Sequence, residues 1–516
     1  MRAPAFLKGV AALVIVAATG ASCTSLPPPG ARTETLALAD TGTTRLGQAL
    51  VPLAAAHPRL AGILALPDGR DAFAARTLFA RGAERSLDVQ YYIWRDDLTG
   101  VLLLDELRSA AARGVRVRLL LDDNNTAGLD PMLAALDAEP NIEVRLFNPF
   151  STRNWRSLGY LFDFGRLNRR MHNKSFTVDN QVSIVGGRNI GDEYFGAAGD
   201  VLFVDLDILA VGPIVKEVSQ EFDRYWNSAA AYPVSALVEA ADAWSAAALA
   251  QRAAGLRTQA AAQRYLETIK ASPFVEQLKQ GQLPLDWSPA RLVSDDPDKI
   301  IGAARPEERL AVQLQRLWGR PARQFDLVSP YFVPGTEGAR ALTDTARSGA
   351  QVRVLTNSLE STDVAVVHAG YAKWRRELLT AGVRLYELRP RWGADLPDSG
   401  PGRFGSSAAS LHAKTFAVDD RSIFVGSFNM DRRSIDLNTE MGFVIDNPRM
   451  ARQLSQSLDE RIPERAYEVR LDGNGKLYWI ERSAGTTVRH EEEPGTGFWK
   501  RTGVRILSFL PIDWLL

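Results

Sequence analysis

The chain has 516 residues, 46% hydrophobic and 24% charged, with 61 Lys and Arg against 61 Asp and Glu. It is too long for one ordinary core and too apolar for a disordered chain, so two domains or a duplicated one are expected. The balanced charge gives no electrostatic reason to expect nucleic acid as a partner, and a single cysteine, Cys23, excludes an intramolecular disulfide.

Arg2 and Lys8 precede an apolar run, Val10–Ala18, shorter than the ~20 residues of a spanning helix. Gly20, Ala21 and Ser22 then lead to Cys23, an order that reads as a signal peptide over residues 1–22. The small-small-Cys ending resembles the lipobox of bacterial lipoproteins. That implies lipidation of Cys23 and a membrane-anchored, exported protein of the cell envelope, facing the periplasm. Gly20 stands where the lipobox prefers Leu, so plain cleavage and an uncleaved anchor are the alternatives. Residues 23–58 carry the run Pro27–Pro29 and read as the lipidated N-terminus and a tether.

Globular patterning starts near Leu60. Ser86–Trp94 reads as a strand, Val101–Ala112 as a helix, and Val115–Leu121 and Ile142–Phe147 as strands. The second half repeats the order: strand Gln324–Val333, helix Glu337–Ser348, strand Gln351–Leu355, helix Asp363–Thr380, strand Val383–Glu387. Alternating strands and helices predict βαβ units. The fold expected is α/β: two similar lobes, 59–232 and 301–465, each a mostly parallel sheet flanked by helices. The Ala-rich stretch within 233–300 predicts a helical insertion or bridge. In 466–516, Tyr467–Ile480 reads as a β-hairpin about Asp472-Gly473. Phe498–Leu516 mixes Trp499, Phe509, Trp514 and Leu515 with Lys500, Arg501 and Arg505. It reads as a docked tail or as an interfacial membrane segment.

One spacing occurs twice. After His172 and after His412, Lys stands two residues on, Asp seven, Gly fourteen and Asn seventeen. Residues two apart in a strand face the same side, so His172 and Lys174, and His412 and Lys414, present imidazole and ammonium to one spot. Asp179 and Asp419 open turns, and each returning run ends in Gly186-Gly187 or Gly426-Ser427, where backbone can approach a ligand. Such a set of donors suits an anion such as phosphate. No His/Asp/Glu cluster has metal-ligand spacing, and no dinucleotide fingerprint or P-loop is present. No metal and no cofactor is expected. His368 reads as a helix-surface or capping residue, with a place in the substrate cleft as the alternative.

The repeated pattern resembles the HKD signature of the phospholipase D superfamily, over about Leu60–Arg465. The resemblance implies two lobes with both motifs at one central, metal-independent site, and catalytic motifs made of His172, Lys174 and Asp179 and of His412, Lys414 and Asp419. His172 would be the nucleophile, forming a phosphohistidine, and His412 the general acid and base. Lys174, Asn189, Lys414, Ser427 and Asn429 would bind the phosphate, while Asp179 and Asp419 would hold the turn. The family places a carboxylate downstream of each motif to orient a histidine. Asp207 matches the first, with Asp205 as its rival, and Glu440 the second.

Leu292–Asp296, Asn357–Tyr371, Asn438–Gly442 and Leu510–Leu516 resemble the C-type bacterial cardiolipin synthase branch. That implies a phosphatidyltransferase acting at the membrane surface, with phosphatidylglycerol as acceptor and phosphatidylethanolamine as a candidate donor. An accessory protein is left open. A phospholipase D hydrolase is the second reading, and a nuclease of the superfamily the third.

Overall fold

Two β-sheets, one from each half of the chain, organise the computed structural model. It describes residues 26, 32–153, 155–197, 201–239, 245–390, 408–483 and 485–509. The signal sequence, Cys23 and Leu510–Leu516 lie outside the described residues.

The first sheet has nine strands, in the order Asp286–Ser288, Ala61–Leu66, Asp207–Val211, Val182–Gly186, Ser175–Val178, Ser86–Ile93, Arg116–Asn125, Ile142–Phe147 and Ala231–Pro233. The second has ten: Ala290–Ser294, Met441–Ile445, Ser422–Gly426, Lys414–Val418, Gln324–Val328, Gln351–Asn357, Arg384–Leu388, Ala466–Leu471, Leu477–Ser483 and Thr486–His490. The expected βαβ units are present. Ser86–Ile93 runs parallel to Arg116–Asn125, and that to Ile142–Phe147; the second sheet repeats this with Gln324–Val328, Gln351–Asn357 and Arg384–Leu388.

The sheets are nevertheless mixed and not mostly parallel. Each motif returns as a tight hairpin, beside Ser86–Ile93 in the first lobe and Gln324–Val328 in the second, and its neighbours then pair antiparallel. The turn residues explain this. Asp179 and Asn180 have φ of 49°, and Asp419 and Asp420 have φ of 55° and 53°. Two successive left-handed residues give the two-residue hairpin turn that matches strand twist, and Asp and Asn tolerate that conformation best after glycine.

The two sheets pack against each other through one apolar layer. Ile63, Val185, Ile208 and Ala210 come from the first sheet; Ile423, Val425, Phe443 and Ile445 come from the second. A separate core fills the outer face of each sheet beneath its helices. The architecture is therefore helix, sheet, sheet, helix, with the ends of the motif strands at the seam.

Three segments differ from their expected roles. Within 23–58, the described part is fastened to the body and is not a free tether. Arg118 donates to the Thr35 carbonyl (2.8 Å), Arg145 to that of Thr33 (2.9 Å) and Arg116 to that of Leu36 (2.8 Å), and Arg45–Ala56 is a helix capped by the Thr44 hydroxyl. The helices Ala246–Thr258, Ala260–Lys270 and Pro273–Lys279 pack Leu249, Ala253, Tyr265 and Phe274 into the core of the first lobe, so they belong to that lobe and form no bridge. The chain changes lobes at Pro289, between Asp286–Ser288 of the first sheet and Ala290–Ser294 of the second. The helix expected over Asp363–Thr380 is two, Ala365–Ala372 and Arg375–Thr380. At the C-terminal end, Ala466–Leu471 and Leu477–Ser483 pair antiparallel and extend the second sheet.

Candidate active site

Two short backbone ladders join the lobes, and each sets one histidine. In the first, Met171 bridges Thr439, the His172 amide donates to the Thr439 carbonyl (2.9 Å), and the Thr439 amide donates to the Arg170 carbonyl (2.9 Å). In the second, Ala408–Leu411 runs parallel to Val201–Val204, and the His412 amide donates to the Val204 carbonyl (2.8 Å). Each ladder stops one residue short of an acid. The acid following Thr439 is Glu440, and the acid following Val204 is Asp205.

The consequence is reciprocal. His172 Nδ1 lies 2.8 Å from Glu440 Oε2, and His412 Nδ1 lies 2.5 Å from Asp205 Oδ2. Each histidine of one lobe is held by a carboxylate of the other. With Nδ1 of His172 taken, its Nε2 is left for chemistry; Nε2 of His412 lies 3.2 Å from Lys414 Nζ, so a reacting group reaches it beside that ammonium. Both histidines are nearly buried, and all four partners sit at the seam. Tyr92 stands edge-on to His172 (centroids 4.9 Å apart), and Tyr194 and Phe203 flank His412 (5.2 and 5.1 Å), fixing the ring planes.

Asp205 replaces Asp207, the residue favoured from sequence, as the partner of His412. The register gives the reason. Asp207 pairs with Gly186 in the sheet, just as Gly442 pairs with Gly426. Counting back two residues from each puts Asp205 and Glu440 at equivalent places. Asp205 stands before the strand Asp207–Val211 and so lies outside its alternation of faces. Asp207 instead accepts from Arg76 Nη2 at 2.8 Å and lies 3.4 Å from Arg188, all three side chains buried.

The two acids are set differently. Glu440 accepts from the Ser427 hydroxyl (2.5 Å) and the Ser434 hydroxyl (2.7 Å). Its backbone amide donates to Asp295 Oδ2 (3.0 Å), itself paired with Lys299 (3.0 Å). The Leu292–Asp296 run thus positions Glu440, a role that sequence reasoning missed. In the first lobe Gly187 stands where Ser427 stands in the second, and a Cβ there would lie 2.1 Å from Asp205 Oδ1. The shorter acid reaches its histidine only because Gly187 leaves room.

Burial pushes the Glu440 carboxyl up to about 7, opposed by the Lys174 charge and the two serine hydroxyls. Burial also acts on Asp205, but the charge of His412 and the hydrogen bond to it hold that carboxyl well below the usual range. Burial, with Lys174 and Lys414 nearby, drives His172 well below its ordinary value, so its imidazole is neutral. His412 falls to about 4, through burial and Lys414, against the pull of Asp205. Lys414 is lowered to about 8 and Lys174 falls well below its usual range, burial being the main cause in both.

The remaining sequence candidates separate by their contacts. Lys174 and Lys414 each donate to the backbone carbonyl of their own motif histidine, and Lys414 Nζ also lies 2.9 Å from His412 Nδ1. Asn429 Oδ1, an acceptor, is buried without a hydrogen-bond partner among the described residues. Asn189 is committed: Nδ2 donates to the Tyr194 hydroxyl (3.0 Å) and Oδ1 accepts from the Ile93 amide (3.2 Å). The Ser427 hydroxyl is likewise committed to Glu440. Asp179 accepts from the amides of Glu84, Arg85 and Ser86, and Asp419 from those of Ala322, Arg323 and Gln324. Both motif aspartates therefore cap the start of the first motif-adjacent strand, away from the histidines. His368 is buried in an ionic cluster with Arg375 (2.6 Å) and Glu493 (3.1 Å), and is neither a surface residue nor part of the histidine pair. Among the described residues no group of three or more His, Cys, Asp and Glu is placed to hold a metal ion.

Comparison with known proteins finds relatives that span both lobes. The family model for the cardiolipin synthase PLD-like domain matches residues 79–226 and 316–462, one match per lobe. Cardiolipin synthase C of Escherichia coli (strain K12) is 49% identical over 472 residues, 92% of this chain and 100% of that protein. Cardiolipin synthase A of Pseudomonas entomophila (strain L48) is 25% identical over 418 residues, 81% of this chain and 71% of that protein. Among solved structures, phosphatidylserine synthase of Haemophilus influenzae Rd KW20 superposes with a TM-score of 0.55 at 14% identity, covering 88% of this chain and 95% of that one. At that identity the likeness is one of fold.

Proposed function

The chain belongs to the PLD-like cardiolipin synthase family of the phospholipase D superfamily, and from that premise we propose how its seam carries out phosphatidyl transfer. The protein is a phosphatidyltransferase that makes cardiolipin. The observation that carries the mechanism is the crossed pairing of His172 with Glu440 and His412 with Asp205.

The neutral imidazole of His172, its Nδ1–H donated to ionised Glu440, attacks the phosphorus of a donor phospholipid through Nε2. A P–N bond forms as the P–O bond to the headgroup alcohol breaks. His412 supplies the proton to the leaving oxygen. It is the better-suited acid because firmly ionised Asp205 stabilises its imidazolium, and because an arriving phosphodiester adds negative charge beside it. In the second step His412 takes the proton of an acceptor hydroxyl, the oxygen attacks phosphorus, and the P–N bond to His172 breaks. Lys174, Lys414 and the amide of Asn429 stabilise the non-bridging oxygens.

The acceptor in this reading is phosphatidylglycerol, and phosphatidylethanolamine is a candidate donor. The Tyr331 hydroxyl bonds to Asp363 (2.8 Å), whose charge reaches Lys414. This pair supports the reading, because a carboxylate beside the phosphate-binding lysine can accept a hydrogen bond from a polyol hydroxyl. We also propose export by the N-terminal signal and anchoring through lipidated Cys23 to a periplasm-facing membrane. No helix among the described residues is long and apolar enough to cross a membrane.

The test is a lipid-product assay of the purified protein on phosphatidylglycerol, with and without phosphatidylethanolamine, read by mass spectrometry beside His172→Ala. Cardiolipin from wild type only is the expected result. Phosphatidic acid as the sole product would replace transfer by hydrolysis. Intact mass of the envelope-derived protein and of Cys23→Ser tests the anchor.

A further inference from the structure

Two clusters of large apolar side chains stand in solvent, and each is rooted beside one half of the site. The first lies on a helical hairpin, Arg156–Phe162 followed by Phe164–Leu167. Trp155 (68% exposed), Leu158, Leu161 (74%) and Phe162 (69%) project from it. Their spacing is three, three and one residues, which places them on a single helical face. The opposite face is anchored: Tyr160 packs on Phe150 (centroids 5.5 Å) and its hydroxyl donates to Asn124 (2.7 Å), while Gly159 lies against Phe150 and Leu167. The hairpin ends at Leu167, and the chain runs through Asn168, held by Arg433 of the other lobe (2.8 Å), straight to His172.

The second cluster lies on the C-terminal helix Phe498–Leu507 and just beyond it: Phe498, Trp499 (82% exposed), Ile506 and Phe509 (79%). This helix buries Val504 against Leu359 and Ala369, and Lys500 donates to the Leu359 carbonyl (2.7 Å). It therefore braces the segment that carries Asp363, next to Lys414.

Fixed helices that keep aromatic and leucine side chains outward carry a standing hydration cost unless an apolar phase covers them. A lipid substrate supplies that phase. Its phosphate must reach His172 while its acyl chains stay out of water, so apolar surface is needed where the lipid leaves the bilayer.

We propose that these two clusters form the face on which the protein sits on a phospholipid bilayer, the hairpin of the first lobe and the C-terminal helix of the second entering the headgroup–acyl boundary. The inference rests on the reading of phospholipid as substrate. It also fixes the kind of attraction. Arg153 and Arg156 are paired with Asp123 and Asp130, and Arg166 with Asp163. Insertion of the hairpin is thus driven by apolar burial, and it persists at high salt.

The test uses the full chain, Leu161→Ser/Phe162→Ser and Trp499→Ser/Phe509→Ser. Amide hydrogen exchange is measured with and without vesicles of phosphatidylglycerol and phosphatidylethanolamine. Rates are measured on those vesicles and on a short-chain phosphatidylglycerol kept monomeric. The expected result is vesicle protection of 155–162 and 498–509 in wild type, lost from the altered segment in each variant. Vesicle rates fall at least about tenfold, since each buried Leu or Phe contributes ~1.5–3 kcal/mol, and monomer rates stay unchanged. Unprotected segments, or equal losses on vesicles and monomers, would overturn the proposal. Protection in a wild type that turns over neither lipid would support docking while removing the transferase reading.

Discussion

Glu440 reaches across the seam to His172, with 2.8 Å between Oε2 and Nδ1, and this contact is made possible by a backbone bond from His172 to Thr439, the residue just before the acid. The same arrangement, with the lobes exchanged, joins Asp205 to His412. Orientation and charge therefore come from the same short segment.

Replacing either acid by its amide should lower kcat by about 10³–10⁴ with little change in KM, because the amide holds the ring in the wrong tautomer while leaving the site's shape intact. Asp207→Asn should behave otherwise. It breaks the buried pair with Arg76, so the thermal midpoint should fall, by an amount equivalent to about 3 kcal/mol, while kcat of the folded enzyme holds. Steady-state kinetics beside calorimetry on all three variants separates the roles. A kcat loss confined to Asp207→Asn would reverse the assignment.

The pH profile should be bell-shaped. Glu440 is raised to about 7, so the carboxylate that accepts from His172 Nδ1 is present above that pH and lost as pH falls through it. Lys414 is lowered to about 8, so its cation is present below that pH and lost as pH rises through it. Glu440→Gln should remove the acidic limb of kcat/KM. Lys414→Arg, which stays protonated, should remove the basic limb in whatever activity it retains.

Gly187→Ala should be far more harmful than Ser427→Gly. A methyl at 187 would meet the Asp205 carboxylate at 2.1 Å and displace it from His412. The loss should match that of Asp205→Asn in size and in pH profile. Ser427→Gly removes one of two hydroxyls from Glu440 and should shift the acidic limb upward with a modest loss of rate.

Asp419→Ala should cost stability without touching chemistry. Three backbone amides lose their acceptor, which amounts to about 1–3 kcal/mol. Urea unfolding should show the loss, and kcat under native conditions should be unchanged.

The two lobes, the motif hairpins and the histidine–lysine pairs were legible in the sequence because they rest on local spacing: strand alternation, turn residues and a repeat. The partner of His412 was not, because the choice between Asp205 and Asp207 depends on sheet register across the seam. A signal was present all the same. Aligning Glu440-Met-Gly442 on Asp205-Leu-Asp207 places Asp205 opposite Glu440, a comparison internal to the chain. Parallel or antiparallel pairing was equally non-local, since the same strand-helix alternation precedes a hairpin that inverts direction. The roles of Asp295, Tyr92 and Tyr194 have no local pattern at all; each is defined by what it touches from a distant part of the chain.

The crossed acids bind the history of the two halves together. A chain of this kind looks like two copies of one unit, free to diverge after duplication, yet neither copy contains a complete histidine-acid pair. A substitution at Asp205 is felt as a lesion of His412, more than two hundred residues away, and one at Glu440 as a lesion of His172. Selection therefore sees one indivisible site, and a lone lobe would inherit an imidazole without its carboxylate unless it met a second copy of itself.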